Sequence, residues 1–306
     1  MRLQIIHDTR YDYASPVKTA HHMAHMRPRE EAWQQLRSHA LDITPVPPRL
    51  TEDLDVYGNP RAFFSLQGAH DALRIVARSL VETAEPPRVP VGAGESPDWE
   101  AVAEAMRFQA GGRWDPAAEF TFASEFAPHH PDFADYAQPS FAPGTAVLAG
   151  AHDLMRRIHR EFRYDTDSTE VETPAVEALA QRRGVCQDFA HIMIACLRAL
   201  GLPARYASGY LLTFPPPGKP RLIGSDASHA WVQVYAPADD GGPGAWHGFD
   251  PTNDRAPGED YVLLAVGRDY ADVSPMRGVL HGGAEHTLDV GVTVMPFDEA
   301  PDLLSK

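Results

Sequence analysis

Hydrophobic and polar positions along this chain change rhythm near residue 84. Before it, short β-branched and aromatic runs alternate with turn residues, as in LQIIHDTRYDY, HALDITPVPP and TEDLDVYGNPRAFFSLQG, which predicts a β-rich domain over residues 1–83. AEPPRVPVGAGESPD is rich in Pro and Gly and opens a linker and helical connection, residues 84–149. Within it Trp99, Val102, Ala103 and Met106 fall at helical spacing. Ala151, Leu154, Met155, Ile158 and Phe162 line one face of a further helix. The clearest helical pattern runs through Phe189, Ile192, Met193, Cys196, Leu197 and Leu200, and Gly201 and Pro203 stop it. Strands follow in ARYASGYLLT, HAWVQVYA and AWHGFDPT, so residues 150–266 read as helices against a sheet. In the tail, residues 267–306, Leu288, Val290, Val292 and Val294 alternate on one face. That face needs a sheet to join, and the N-terminal domain is its predicted partner.

The totals narrow the function classes. A chain of 306 residues is long enough for one large domain or two modest ones. Its formal net charge of −15 and the lack of a basic run argue against nucleic acid and anionic membrane as partners. No apolar stretch reaches the length of a membrane span, and MRLQIIHDTRYDYASPV lacks the apolar core of a secretion signal. Two cysteines are no disulfide framework. A reducing, cytoplasmic setting is expected, in which a free thiol stays a thiol.

The first cysteine lies in RRGVCQDFAH, where a basic turn gives way to the long helix. Cys186 therefore starts that helix, on the face of Phe189 and Met193. Free N–H groups and partial positive charge at a helix N-terminus favour a thiolate and could stabilise an oxyanion formed at an attacked carbonyl. The competing reading is a small packed side chain. Cys196, mid-helix on the apolar face, reads as core.

A base would decide between these readings. SHAWVQVYAPADDGGPGAWHGFDPT reads as two strands around a Gly/Asp/Pro-rich loop. With His229 placed opposite Asp250, Trp231 faces Gly248, Gln233 faces Trp246, and the turn residues fall in the loop. An Asp so placed can hold a His tautomer and stabilise its imidazolium, leaving the other ring nitrogen for the thiol proton. On this reading Asp250→Asn damages rate much more than stability. A local structural hydrogen bond is the alternative. His21, His22 and His25 in HHMAH lie in a β-like neighbourhood with no acidic ligands around them, so no metal site is expected. No CxxC pair, EF-hand, P-loop or Rossmann fingerprint occurs.

GVCQDFAHIMIACLRALGLPARYASGYL, DASHAWVQVYAP and WHGFDPTND together resemble the bacterial transglutaminase-like family of the papain-like cysteine clan. The core resemblance covers roughly residues 150–265, and the opening IIHDTRYDYASPV and the tail resemble the flanking regions of that family. The resemblance implies an α+β fold in which a helix bearing Cys packs on an antiparallel sheet bearing His and Asp, preceded by a β-rich N-terminal domain. It also implies that Cys186 is nucleophile, His229 base and Asp250 orienting acid. No motif fixes the donor that would join the Cys186 N–H at an oxyanion; Tyr164 and Gln187 are the candidates. The implied chemistry is acyl transfer on amides through a thioester, with no cofactor. Hydrolysis of a peptide or peptide-like amide is favoured, because no calcium loop or dedicated amine site is legible. The alternatives are transfer to an amine and a non-catalytic binding module that retains the fold. Oligomeric state is not legible.

Overall fold

The computed structural model describes residues 1–108, 110–111, 114–166, 173–213, 228–238, 243–283 and 285–299. The chain opens with β1 (Arg2–Ala24), β2 (Gln34–Thr44), β3 (Leu50–Leu54) and β4 (Pro60–Thr83). β1 and β4 are long and pair antiparallel from Arg2↔Glu82 to Ala24↔Ala62, with irregular pairing between Asp12 and Thr19. β2 and β3 flank successive halves of the other edge of β4. Alternation explains the buried face: Leu3 and Ile5 of β1 and Leu73, Ile75, Ala77 and Val81 of β4 point inward. The three histidines of HHMAH share no site. His21 is exposed and meets Ser65, His22 stacks on Phe64, and His25 is buried beside Asp55.

Then come α1 (Trp99–Ala105), α2 (Pro131–Ala137), α3 (Val147–Glu161), β5 (Arg163–Tyr164), α4 (Ala175–Gln181), β6 (Arg183–Gly184) and α5 (Cys186–Ala199). Residues 84–149 are more than the connection expected from their Pro and Gly content. Val102, Met106, Phe133 and Phe141 share one core with α3, α4 and α5. α5 is central, and every residue from Asp188 to Arg198 is buried, as expected of a helix covered all round. Its end is closed by bonds from Gly201 N–H to Arg198 O (2.9 Å) and from Leu202 N–H to Leu197 O (3.0 Å).

A second sheet lies against α5. β7 (Ala204–Leu211), β8 (His229–Ala236), β9 (Ala245–Phe249) and β10 (Tyr261–Gly267) run antiparallel in the order β10-β7-β8-β9. α6 (Tyr270–Val273) follows, then β11 (Met276–Gly282) and β12 (His286–Pro296). The tail returns to the first domain: β12 pairs with β1 from Leu3↔Pro296 to Tyr13↔His286, and β11 pairs with the far half of β1. The alternating face is covered only in part. Val292 and Val294 are buried against Leu3, Ile5, Tyr210 and Leu264, whereas Leu288 and Val290 stay exposed.

β10 is an edge strand, and the N-terminal domain closes that edge with two buried carboxamides. Gln34 accepts from Leu263 N–H (2.7 Å) and donates to Leu263 O (2.8 Å). Asn59 accepts from Val266 N–H (2.8 Å) and donates to Val266 O (2.7 Å). Each side chain imitates one rung of a missing strand. Gln34→Leu is expected to strand the buried Leu263 N–H and to lower the unfolding free energy by about 1–3 kcal/mol, measured by urea denaturation.

Candidate active site

The N-terminus of α5 is built by a tight approach. The carboxylate of Asp188 accepts from the N–H of Val185 (2.8 Å), which anchors the residue ahead of the helix. A Cβ on Gly184 would lie 2.5 Å from that carboxylate, so glycine is required there. Cys186, half-buried with a free thiol, is the first helical residue. Its N–H belongs to the first turn, which has no partner within the helix.

His229 starts β8 and is paired with Gly209 of β7. A Cβ on Gly209 would lie 2.0 Å from Val262 O and 2.7 Å from the Trp231 ring. Its absence lets Trp231 pack flat beneath the imidazole, with ring centroids 6.2 Å apart. His229 Nε2 donates to Asp250 Oδ2 at 2.7 Å, and the Cys186 side chain lies close enough to the imidazole to raise its pKa. With Nε2 on the carboxylate, Nδ1 is left to face the sulfur. Burial by itself disfavours the imidazolium. The bonds and charges of Asp250 and Cys186 outweigh it and push the pKa up to about 10.

Asp250 is fully buried. Its Oδ2 also accepts from Tyr261 Oη and Asn253 Nδ2, each at 2.7 Å. Oδ1 accepts from the N–H groups of Thr252 (2.8 Å) and Asn253 (3.2 Å). Burial opposes ionisation of this carboxyl, but the bonds from His229, Asn253 and Tyr261 prevail and hold its pKa below the ordinary value.

Two expectations need correction. The first is the hairpin register. Val232 pairs with Phe249 and Tyr235 with Trp246, two residues away from the register that set His229 against Asp250. Continuing these pairs brings Asp250 level with Trp231. A shift of two keeps every side chain on its face, so the carboxylate reaches the imidazole diagonally. A long loop does not fix register as a tight turn does. The second is the isolation of rate from stability at Asp250. Both oxygens accept from donors, so an amide would direct its N–H groups at other N–H or O–H groups. Asp250→Asn must also cost stability.

Tyr164, in β5, pairs with Gly184 and sits edge-on to Phe189 with centroids 6.3 Å apart. Its hydroxyl pKa is raised by burial and by the charges of Cys186 and Asp188. It is thus beside the start of α5, though 52 % exposed. Gln187 is the second residue of α5 and half-buried. Cys196 is buried with its thiol pKa pushed up by desolvation. Tyr261 and Asn253 escaped the sequence reading. YVLLAVG, an apolar run after the turn residues APGED, was the signal for a buried strand headed by Tyr261. Among the described residues, no group of three or more His, Cys, Asp or Glu side chains could hold a metal ion.

This geometry sets a thiol near a ring that could take a proton and return it. The elevated His229 pKa also carries a stability signature. The folded protein keeps a proton that an ordinary histidine releases near 6.5. The stabilisation is full below pH 6.5 and is lost as pH rises through about 10. The stability advantage of wild type over His229→Gln should therefore shrink across that window, as read by urea denaturation at stepped pH.

Comparison with known proteins adds to the geometry. Residues 3–82 match the bacterial transglutaminase-like N-terminal region, and residues 134–251 match the transglutaminase-like superfamily. An uncharacterized protein of Mycobacterium tuberculosis is 39% identical over 301 residues, covering 97% of this chain and 93% of its own length. A protein-glutamine gamma-glutamyltransferase of Pseudomonas aeruginosa is 30% identical over 154 residues, 47% of this chain and 22% of that protein. The crystal structure of a candidate cysteine protease from Cytophaga hutchinsonii superposes with a TM-score of 0.69 at 20% identity, covering 96% of this chain and 91% of the other. That last likeness concerns the fold.

Proposed function

We propose that this chain, which belongs to the transglutaminase-like superfamily, is an enzyme that uses Cys186, His229 and Asp250 for acyl transfer on an amide bond. The observation that carries the reading is the short bond from His229 to the buried Asp250, with the Cys186 side chain close enough to the same ring to raise its pKa. The Cys186 sulfur, having passed its proton to His229 Nδ1, attacks the amide carbonyl. The oxyanion is met by the Cys186 N–H at the start of α5, with Gln187 or Tyr164 as the second donor. His229 then gives its proton to the leaving amine, and the acyl group stays on sulfur as a thioester. Water attacks next, His229 takes a proton from it, and the thiol and a carboxylic acid are released. Throughout, Asp250 holds the Nε2 proton and so keeps Nδ1 turned to sulfur.

Hydrolysis of a peptide or peptide-like amide is the outcome we favour, in a reducing, cytoplasmic setting that suits two free cysteines. A second reading, transfer to an amine, is favoured by the likeness to the Pseudomonas aeruginosa enzyme. A primary amine added to the assay separates the two, since transfer yields an amide product and hydrolysis an acid.

Turnover of an electrophilic amide library, read by mass spectrometry, tests the reaction class. Cys186→Ala should abolish turnover and leave the fold intact. Wild-type rates in that variant would exclude Cys186 as nucleophile. A wild-type protein that captures no member of the library through Cys186 would favour the non-catalytic binding module. Asp250→Asn should lose roughly 10–10³ in rate, less than the serine-triad case because a thiol leans less on its base. Its melting temperature should fall as well, because the amide is misdirected among buried donors.

A further inference from the structure

We propose that Tyr261 and Asn253 are positioning residues, a two-donor clamp that holds Asp250 Oδ2 against His229 and thereby sets the reactivity of Cys186. The proposal rests on the thiol–imidazole reading above. Oδ2 receives three bonds, each 2.7 Å long: from His229 Nε2, Tyr261 Oη and Asn253 Nδ2. The other two donors both go to Oδ1, from the turn backbone. The backbone can fix where the carboxylate sits, but the two side chains fix which way its second oxygen faces.

Each half of the clamp is itself held. The Tyr261 ring is fully buried and packs edge-on against Trp231 at 5.5 Å. The Arg255 guanidinium lies 4.6 Å from its centroid, tied in turn to Asp260. Tyr261 also heads β10, whose edge is clasped by Gln34 and Asn59 of the N-terminal domain. Asn253 comes from the turn after β9, and its Nδ2 lies 3.4 Å from His229 Nε2. It therefore flanks the same bond from the exposed side. Neither residue bonds to Cys186, so any effect on the thiol must pass through Asp250 and His229. Other titratable or charged groups facing this unit are Arg255 and Asp260 beside Tyr261, and Asp188, Tyr164 and Tyr206 near Cys186. The substitutions below leave all of these in place.

The test is the rate of Cys186 alkylation by iodoacetamide, read by peptide mass spectrometry in wild type, Tyr261→Phe, Asn253→Ala and the double variant. Rates are compared at about pH 6 and about pH 10, on either side of the ordinary thiol pKa of about 8.5. Near pH 10 a thiol ionises without help. Each single variant should label about 10-fold more slowly than wild type near pH 6, the scale of one hydrogen bond to a charged group, and within about 2-fold of it near pH 10. A merely structural role would slow or speed both rates together. Unchanged or faster labelling near pH 6 overturns the clamp. If Tyr261→Phe does not fold, Asn253→Ala decides alone, since it trims an exposed turn residue. A wild-type Cys186 that labels near pH 6 no faster than free cysteine sinks the thiol–imidazole reading, and the clamp with it. Fast wild-type labelling with no response in the variants sinks the clamp only.

Discussion

A carboxylate sealed from water stays ionised only if donors replace its hydration, and Asp250 sets that condition for the rest of the site. Removing an ion of this size from water costs several kcal/mol before any compensation. Five donors meet it: one ring nitrogen, one phenol, one carboxamide and two backbone N–H groups. They come from the start of β8, the start of β10 and the turn after β9. The two strands are not neighbours, for β7 lies between them. The sheet order therefore has to bring both strand starts to one end, and Gly209 of β7 has to leave room for the rings that meet over it.

The same need for partners explains why the β domain and the core form one structure. β10 ends the sheet and would present unpaired backbone groups. Gln34 and Asn59, both fully buried, satisfy it at Leu263 and Val266. Thr83 and the N-terminal amine reach Glu259, just ahead of Tyr261. His7 of β1 bonds Tyr210 of β7 at 2.9 Å, and burial drives its pKa down to about 4, so it sits there neutral. Strand β12 then adds Val292 and Val294 to the apolar contact. The first domain thus braces the strand from which Tyr261 reaches the carboxylate.

How much of this was legible follows from the range of each interaction. α5 could be read because its period, its glycine and its proline are all local. Cys186, His229 and Asp250 were legible because a helix start and a strand pair bring chemistry together by simple rules. The hairpin register was missed by two residues because the long loop leaves pairing to side-chain packing, which no local pattern specifies. The carboxamides of Gln34 and Asn59 carried no signal, since their partners lie 229 and 207 residues away. The tail shows the opposite case. Its alternation was plain, yet the exposed Leu288 and Val290 show that a pattern reveals which face is apolar and not how far the cover extends.

Cys186 and Cys196 show how one helix can give the same side chain two surroundings. They stand ten residues apart in the sequence of α5. Cys196 is enclosed by apolar groups, and desolvation makes ionisation costly, so its sulfur acts as packing. Cys186 stands in the first turn of the helix, with the His229 ring close by. Burial would discharge that ring if it stood alone, as happens to His191 one turn further along α5. His191 has Phe126 and Tyr206 for neighbours, and its pKa falls to about 3. Desolvation is the largest influence on both rings, and only His229 has a carboxylate to oppose it. The difference between a neutral ring and a charged one therefore lies in Asp250 and Cys186, and through Asp250 in the donors that keep it charged.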